Sequence, residues 1–209
     1  KVRSKAPTVT ASVKGTVLAT GEGYTTIRDS THRAEHPTIT RGTTVPTDLL
    51  TLHLPQLYPA DQLPGGLDFR GLDVGMADDL AQCYLMSYPP DVAASDLDEA
   101  REEMNATFRG DYGKLRADAS TTAWVGGRLA GAIMVVTHSI WDEHLTGPFI
   151  IDLFIDPHAR GKGIGRALVQ HAIATCCDAG DHTLSLRFGQ GTSDAAMRIY
   201  QRLGFRPVG

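Results

Sequence analysis

Residues 149–179 constrain the fold most. Phe149, Ile150, Ile151, Leu153, Phe154 and Ile155 enclose one ionisable residue, Asp152, in an apolar run of strand length. Asp156-Pro157 ends the strand. The bend Arg160-Gly161-Lys162-Gly163-Ile164-Gly165 then opens into a segment in which Leu168, Val169, Ala172, Ile173 and Cys176 follow a helical period. The spacing predicts strand, bend and helix in direct succession.

Such a junction favours anions. The first turn of a helix has unpaired N–H groups at the positive end of the dipole, and alternate glycines let successive N–H groups of the bend converge on one oxyanion. Arg160, Lys162 and Arg166 add positive charge. The bend from Arg160 to Arg166 is therefore expected to cradle a pyrophosphate. It is not a Walker loop, because no Ser or Thr follows Lys162, and its glycines are too close together for a dinucleotide fingerprint.

Arg160, Gly163 and Gly165 match the Arg/Gln-x-x-Gly-x-Gly/Ala pattern of motif A in the GCN5-related N-acetyltransferase (GNAT) superfamily, which the stretch resembles. Downstream, Gly180 is placed to end the helix, Leu184 to Phe188 alternate as a strand, and Ser193 to Leu203 read as an amphipathic helix closed by Gly204-Phe205. Ala196, Tyr200, Gly204 and Phe205 keep the spacing of the family's motif B, with Ser193 where Asn is usual. The resemblance covers roughly residues 67 to 209. It implies an α/β fold with a central mixed, mostly antiparallel sheet flanked by helices. It also implies transfer of an acetyl group from acetyl-CoA to a primary amine by direct attack.

By the same resemblance, backbone groups of Leu153, Phe154 and Ile155 would hold the pantetheine and thioester. Gly161, Lys162, Gly163, Ile164, Gly165 and Arg166 would take the phosphates with Arg160, and Ser193 would cap the last helix and touch the cofactor. Tyr200 stands where the family has its general acid; a phenol is protonated at neutral pH and can donate to a departing thiolate. Asp152 is the candidate base, since burial makes a carboxylate a better proton acceptor near neutrality. The alternative is a non-catalytic acyl-CoA sensor or scaffold. A third reading has a protein amine as the acceptor.

Composition narrows the setting. The net charge of −4 is not that of a nucleic-acid binder, and it is uneven: residues 65–209 hold thirteen Lys/Arg against nineteen Asp/Glu. An acidic catalytic domain favours cationic acceptors. Cys83, Cys176 and Cys177 give neither a metal spacing nor a disulfide framework, which points to a reducing cytoplasm. No apolar run approaches the roughly 18 residues of a membrane span.

Residues 1–64 are expected to form an amino-terminal extension, with residues 1–30 as a β-hairpin arm, and residues 65–209 the catalytic domain, divided at Gly65-Gly66. The arm could supply strands to the sheet edge near the carboxyl end, or exchange between subunits of a homodimer. Leu49, Leu50, Leu52, Leu54 and Leu57 form an apolar stretch with no assigned role. Met76 to Tyr88 and Leu97 to Phe108 read as helices, the second started by a capping box at Ser95, and Gly126-Gly127 as the turn of a hairpin. The loop His138 to Gly147, with Trp141, Asp142, Glu143 and His144, has groups able to hold an amine, although a solvated surface loop is the plainer reading. His171, Cys176 and Cys177 are expected to be structural.

Overall fold

The computed structural model describes residues 48–58, 64–89, 92–189 and 192–208. In chain order its elements are β1 (Leu49–His53), β2 (Leu67–Gly71), α1 (Ala77–Ser87), α2 (Leu97–Arg109), β3 (Thr121–Val125), β4 (Arg128–Val136), β5 (Phe149–Ile155), α3 (Ile164–Asp178), β6 (Thr183–Arg187), α4 (Asp194–Leu203) and β7 (Arg206–Pro207). The strands form one sheet in the order β2-β3-β4-β5-β6-β1-β7. Only β5 and β6 run parallel; the other neighbours are antiparallel. This is the mixed, mostly antiparallel sheet that the family resemblance implies.

Alternation along β5 assigns the two faces. The Phe154 ring meets Tyr84 of α1 at 5.5 Å, whereas a Cβ added at Gly165 of α3 would lie 3.6 Å from Cγ1 of Ile155. Helices α1 and α3 therefore cover opposite faces, which explains why Phe149 to Asp152 and Ala130 to Val136 are all buried. Asp152 shares the α1 face with Phe154, because side chains two apart on a strand point the same way.

Two local predictions change in detail. The box at the start of α2 sits one residue later: Asp96 Oδ1 accepts from Glu99 N at 2.9 Å, and Glu99 Oε2 accepts from the N and Oγ of Ser95, both at 2.7 Å. The unassigned leucine stretch is a strand. Leu49, Leu50 and Leu52 are 1%, 3% and 8% exposed, and β1 lies between β6 and β7, with Leu50 opposite both Leu186 and Pro207. The sheet therefore begins on the amino-terminal side of Gly65-Gly66. Residues 48–53 cover the edge expected to need residues 1–30, and those residues lie outside the described ones. The strand after Gly204-Phe205 is β7, only two residues long, and Pro207 brings no N–H to its ladder.

Candidate active site

Strands β5 and β6 pair at Phe149↔Ser185 and Ile150↔Leu186 and then part. From Leu153 to Ile155, β5 has no ladder partner on its β6 side among the described residues. On the other side Asp156 N donates to Ala130 O at 2.9 Å. Antiparallel alternation from that pair turns the backbone groups of Phe154 toward β4 and those of Leu153 and Ile155 toward the gap. Of the three backbones expected at a thioester, two thus line the opening; Phe154 contributes its ring to the α1 face instead. The β4–β5 register shifts between Met134 and Val135, a bulge beside Asp152.

The glycine bend follows directly. Asp156 caps a 3-10 turn over Pro157–Ala159, its Oδ1 accepting from His158 N at 2.8 Å. Gly161 and Gly163 have φ of +78° and +79°, a region that a side chain disfavours. Gly163 is the N-cap of α3 and has no side chain to bond the first-turn N–H groups, which leaves them for an anion. Ile164 is buried and seats the helix; Lys162 and Arg166 are exposed beside it.

Arg160 has a different task from the one its charge suggests. Its Nη2 donates to Ser87 O at 2.5 Å and its Nε to Ile155 O at 3.2 Å, so the guanidinium ties the bend to the end of α1 and to β5. Gly165 seats α4: a Cβ there would lie 3.3 Å from Cδ1 of Ile199. Ser193 caps α4 through Oγ, which accepts from Ala196 N at 3.2 Å.

The acid and base candidates come together around Asp152, which is fully buried. Tyr88, at the carboxyl end of α1, donates its phenolic O–H to Asp152 Oδ1 at 2.7 Å. Tyr200 of α4 is 2% exposed and packs its ring on Phe205. Burial, then the Asp152 carboxylate, hold its pKa above the ordinary tyrosine value. Burial, Asp152 and Tyr84 push Tyr88 the same way. Both phenols therefore stay protonated through neutral pH.

That shift has a stability consequence. Above about pH 10 an unfolded tyrosine loses its proton, while Tyr200 in the fold keeps it, so the unfolded state binds fewer protons and stability falls as pH rises. We expect Tyr200 to contribute a slope of up to about 1.4 kcal/mol per pH unit. Urea melts between pH 9 and 11 of the parent and of Tyr200→Phe would test it; identical slopes would refute it.

In the sequence, Tyr88-Pro89-Pro90 ends a helix and opens segment 88–95, one of the two segments expected to set the acceptor, but nothing there pairs Tyr88 with Asp152. The loop at 138–147 departs from a purely solvated loop at Asp142. Asp142 is 4% exposed and is bound by both Nε and Nη2 of Arg187, and by Ser139 Oγ at 2.9 Å. Arg187 also reaches Asp48 at 2.7 Å. Asp142 thus anchors the loop to the end of β6, while Trp141 stacks on Tyr112 and Glu143 and His144 are exposed. Burial raises Cys83 to about 11 and Cys176 to about 12, which keeps both as thiols. His171 packs its ring on Phe69, as a structural residue would.

The sheet parted beside an uncapped helix start has counterparts among known proteins. The chain belongs to the acetyltransferase (GNAT) family, whose model matches residues 77–205. It is 38% identical over 91 residues to a streptothricin acetyltransferase of Streptomyces lavendulae, covering 43% of this chain and 46% of that protein. It is 27% identical over 156 residues to a mycothiol acetyltransferase of Actinosynnema mirum, covering 73% and 48%. The chain thus spans about half the length of these curated relatives. Among solved structures, a GCN5-related N-acetyltransferase from Sphaerobacter thermophilus superposes with a TM-score of 0.54 at 17% identity, over 77% of this chain and 47% of that one. No described helix is long and apolar enough to cross a membrane.

Proposed function

We propose that the domain transfers the acetyl group of acetyl-CoA to a primary amine by direct attack. The observation that carries this reading is the meeting of an open β5 edge, an uncapped α3 start and two protonated phenols around one buried carboxylate. The bend from Gly161 to Arg166 receives the pyrophosphate, with Lys162 and Arg166 as its exposed cations. Backbone groups of Leu153 and Ile155 receive the pantetheine arm and the thioester oxygen, and Ser193 borders the cofactor at the start of α4.

Asp152 takes a proton from the acceptor ammonium. The freed nitrogen lone pair forms the C–N bond at the thioester carbon, and the C–S bond breaks as the tetrahedral oxyanion collapses. Tyr200 gives its proton to the departing thiolate and regains one from the amide nitrogen, while Asp152 returns its proton to solvent. The products are the acetamide, CoA thiol and one released proton. A cationic small molecule suits the acidic domain, and the names of the two curated relatives make streptothricin and mycothiol-related compounds the first to try. A lysine side chain or a protein N-terminus is the alternative acceptor, the reaction runs in the cytoplasm, and the active species is a monomer or homodimer.

Calorimetric titration with acetyl-CoA tests the first half of this reading. The parent is expected to bind, and a folded Arg160→Ala, Gly163→Asp double variant to lose detectable binding, because an aspartate at the N-cap would occupy the first-turn N–H groups and repel phosphate. Thiol release with a panel of amines then tests transfer. Binding without release to any amine would favour an acyl-CoA sensor.

A further inference from the structure

Tyr88 stands at the junction of three constraints. The residue before a proline is restricted to extended backbone, and Tyr88, ahead of Pro89, leaves α1 at φ −108° and ψ 152°. The carbonyl just before it, Ser87 O, is held by Arg160 at 2.5 Å, and Ser87 Oγ donates to Cys83 O at 2.6 Å. The Tyr88 ring lies edge-on to Tyr84 at 5.1 Å, and Tyr84 in turn meets Phe154 of β5. Backbone, carbonyl and ring are therefore each fixed before the phenol reaches Asp152.

The bond itself is short and charge-assisted, 2.7 Å across 64 residues of sequence. A central strand has no packing need for a carboxylate, which is costly to bury. The phenol commits its only proton to that carboxylate. We propose that Tyr88 is a positioning residue for acyl transfer, holding Asp152 Oδ1 so that the carboxylate meets the acceptor amine in one orientation. The inference rests on the acetyl-transfer reading above, with Asp152 as its base. The raised Tyr88 pKa keeps the donor in place throughout the working pH range. Arg160 extends the arrangement: it joins the phosphate bend to the residue next to Tyr88, so cofactor cradle and proton acceptor share one strut.

A double-mutant cycle separates positioning from packing. Thiol release is measured at saturating acetyl-CoA with the amine of the panel that the parent acetylates fastest, for the parent, Tyr88→Phe, Asp152→Asn and the double variant. Tyr88→Phe is expected to lower kcat at least about tenfold, with calorimetric acetyl-CoA affinity unchanged. In the Asp152→Asn background the same change is expected to have no further effect on kcat. Incorporating 3-fluorotyrosine at position 88, which keeps ring and O–H, is expected to restore kcat relative to Tyr88→Phe, and it decides the matter should the Phe variant fail to fold. A Tyr88→Phe kcat within twofold of the parent, or losses that multiply in the double variant, would overturn the positioning role while leaving Asp152 as base. An Asp152→Asn variant as active as the parent would instead remove Asp152 from the mechanism, and this inference with it; so would a parent that binds acetyl-CoA and acetylates no amine.

Discussion

Tyr200→Phe is expected to lower kcat by about 100- to 10,000-fold, the range that a positioned general acid contributes, while acetyl-CoA affinity measured by calorimetry stays within about twofold. Tyr200 is a buried residue whose hydroxyl is protonated and within the field of Asp152, whereas the ring supplies the contact with Phe205 at 5.7 Å, which phenylalanine keeps. Loss of O–H without loss of packing isolates proton donation to the thiolate. The pH dependence gives a second check. Because the fold raises the Tyr200 pKa, the acid stays loaded on going from pH 7 to pH 10, and no fall in kcat over that interval is assigned to its ionisation. A Tyr200→Phe enzyme with parental kcat would transfer the acid role to solvent.

The largest expected effect on stability lies at the other end of the chain. A protein begun at Gly65, the boundary that composition suggests, is expected not to fold cooperatively, and Leu50→Asp in the full chain to behave the same way. Burying Leu49, Leu50 and Leu52 is worth about 1.5–3 kcal/mol each, together about 5–9 kcal/mol, which is comparable with the whole stability of a typical domain, about 5–15 kcal/mol. Removing β1 also strips both β6 and β7 of a ladder partner and uncovers Leu186. In Leu50→Asp the ladder survives, but a carboxylate is placed at a position 3% exposed. Thermal melts followed by circular dichroism would decide; a chain begun at Gly65 that melts within a few degrees of the parent would show that β1 is dispensable.

Legibility in the sequence followed the range of the interactions. Strand β5, the glycine bend, α3 and α4 were readable because their signals are local: an apolar run, alternate glycines, a helical period and a Gly-Phe stop. The pairing of Asp152 with Tyr88 was not, since nothing in Tyr88-Pro89 says which carboxylate its phenol will reach. The same holds for Asp142, which in the sequence resembles an amine ligand on a loop and in the fold is the counter-ion of Arg187. Arg160 matched its motif by position, yet its guanidinium bonds carbonyls, because Ser87 O arrives from α1, an element that the motif does not contain. The leucines of β1 carried strand chemistry throughout; what was missing was the identity of their partners.

The placement of β1 also sets an order of events during folding. Its ladder joins residues such as Thr51 and Ser185, which are 134 positions apart, so closing it costs far more chain entropy than closing the β3–β4 hairpin. On the ribosome β1 emerges early and waits, unpaired, until β6 has been made. Strand β6, one wall of the β5–β6 gap, is held on its far side by β1, so that support comes from the opposite end of the chain and is completed late. Variants that weaken β1 should therefore slow the appearance of the active site more than they slow formation of the β2–β4 half of the sheet.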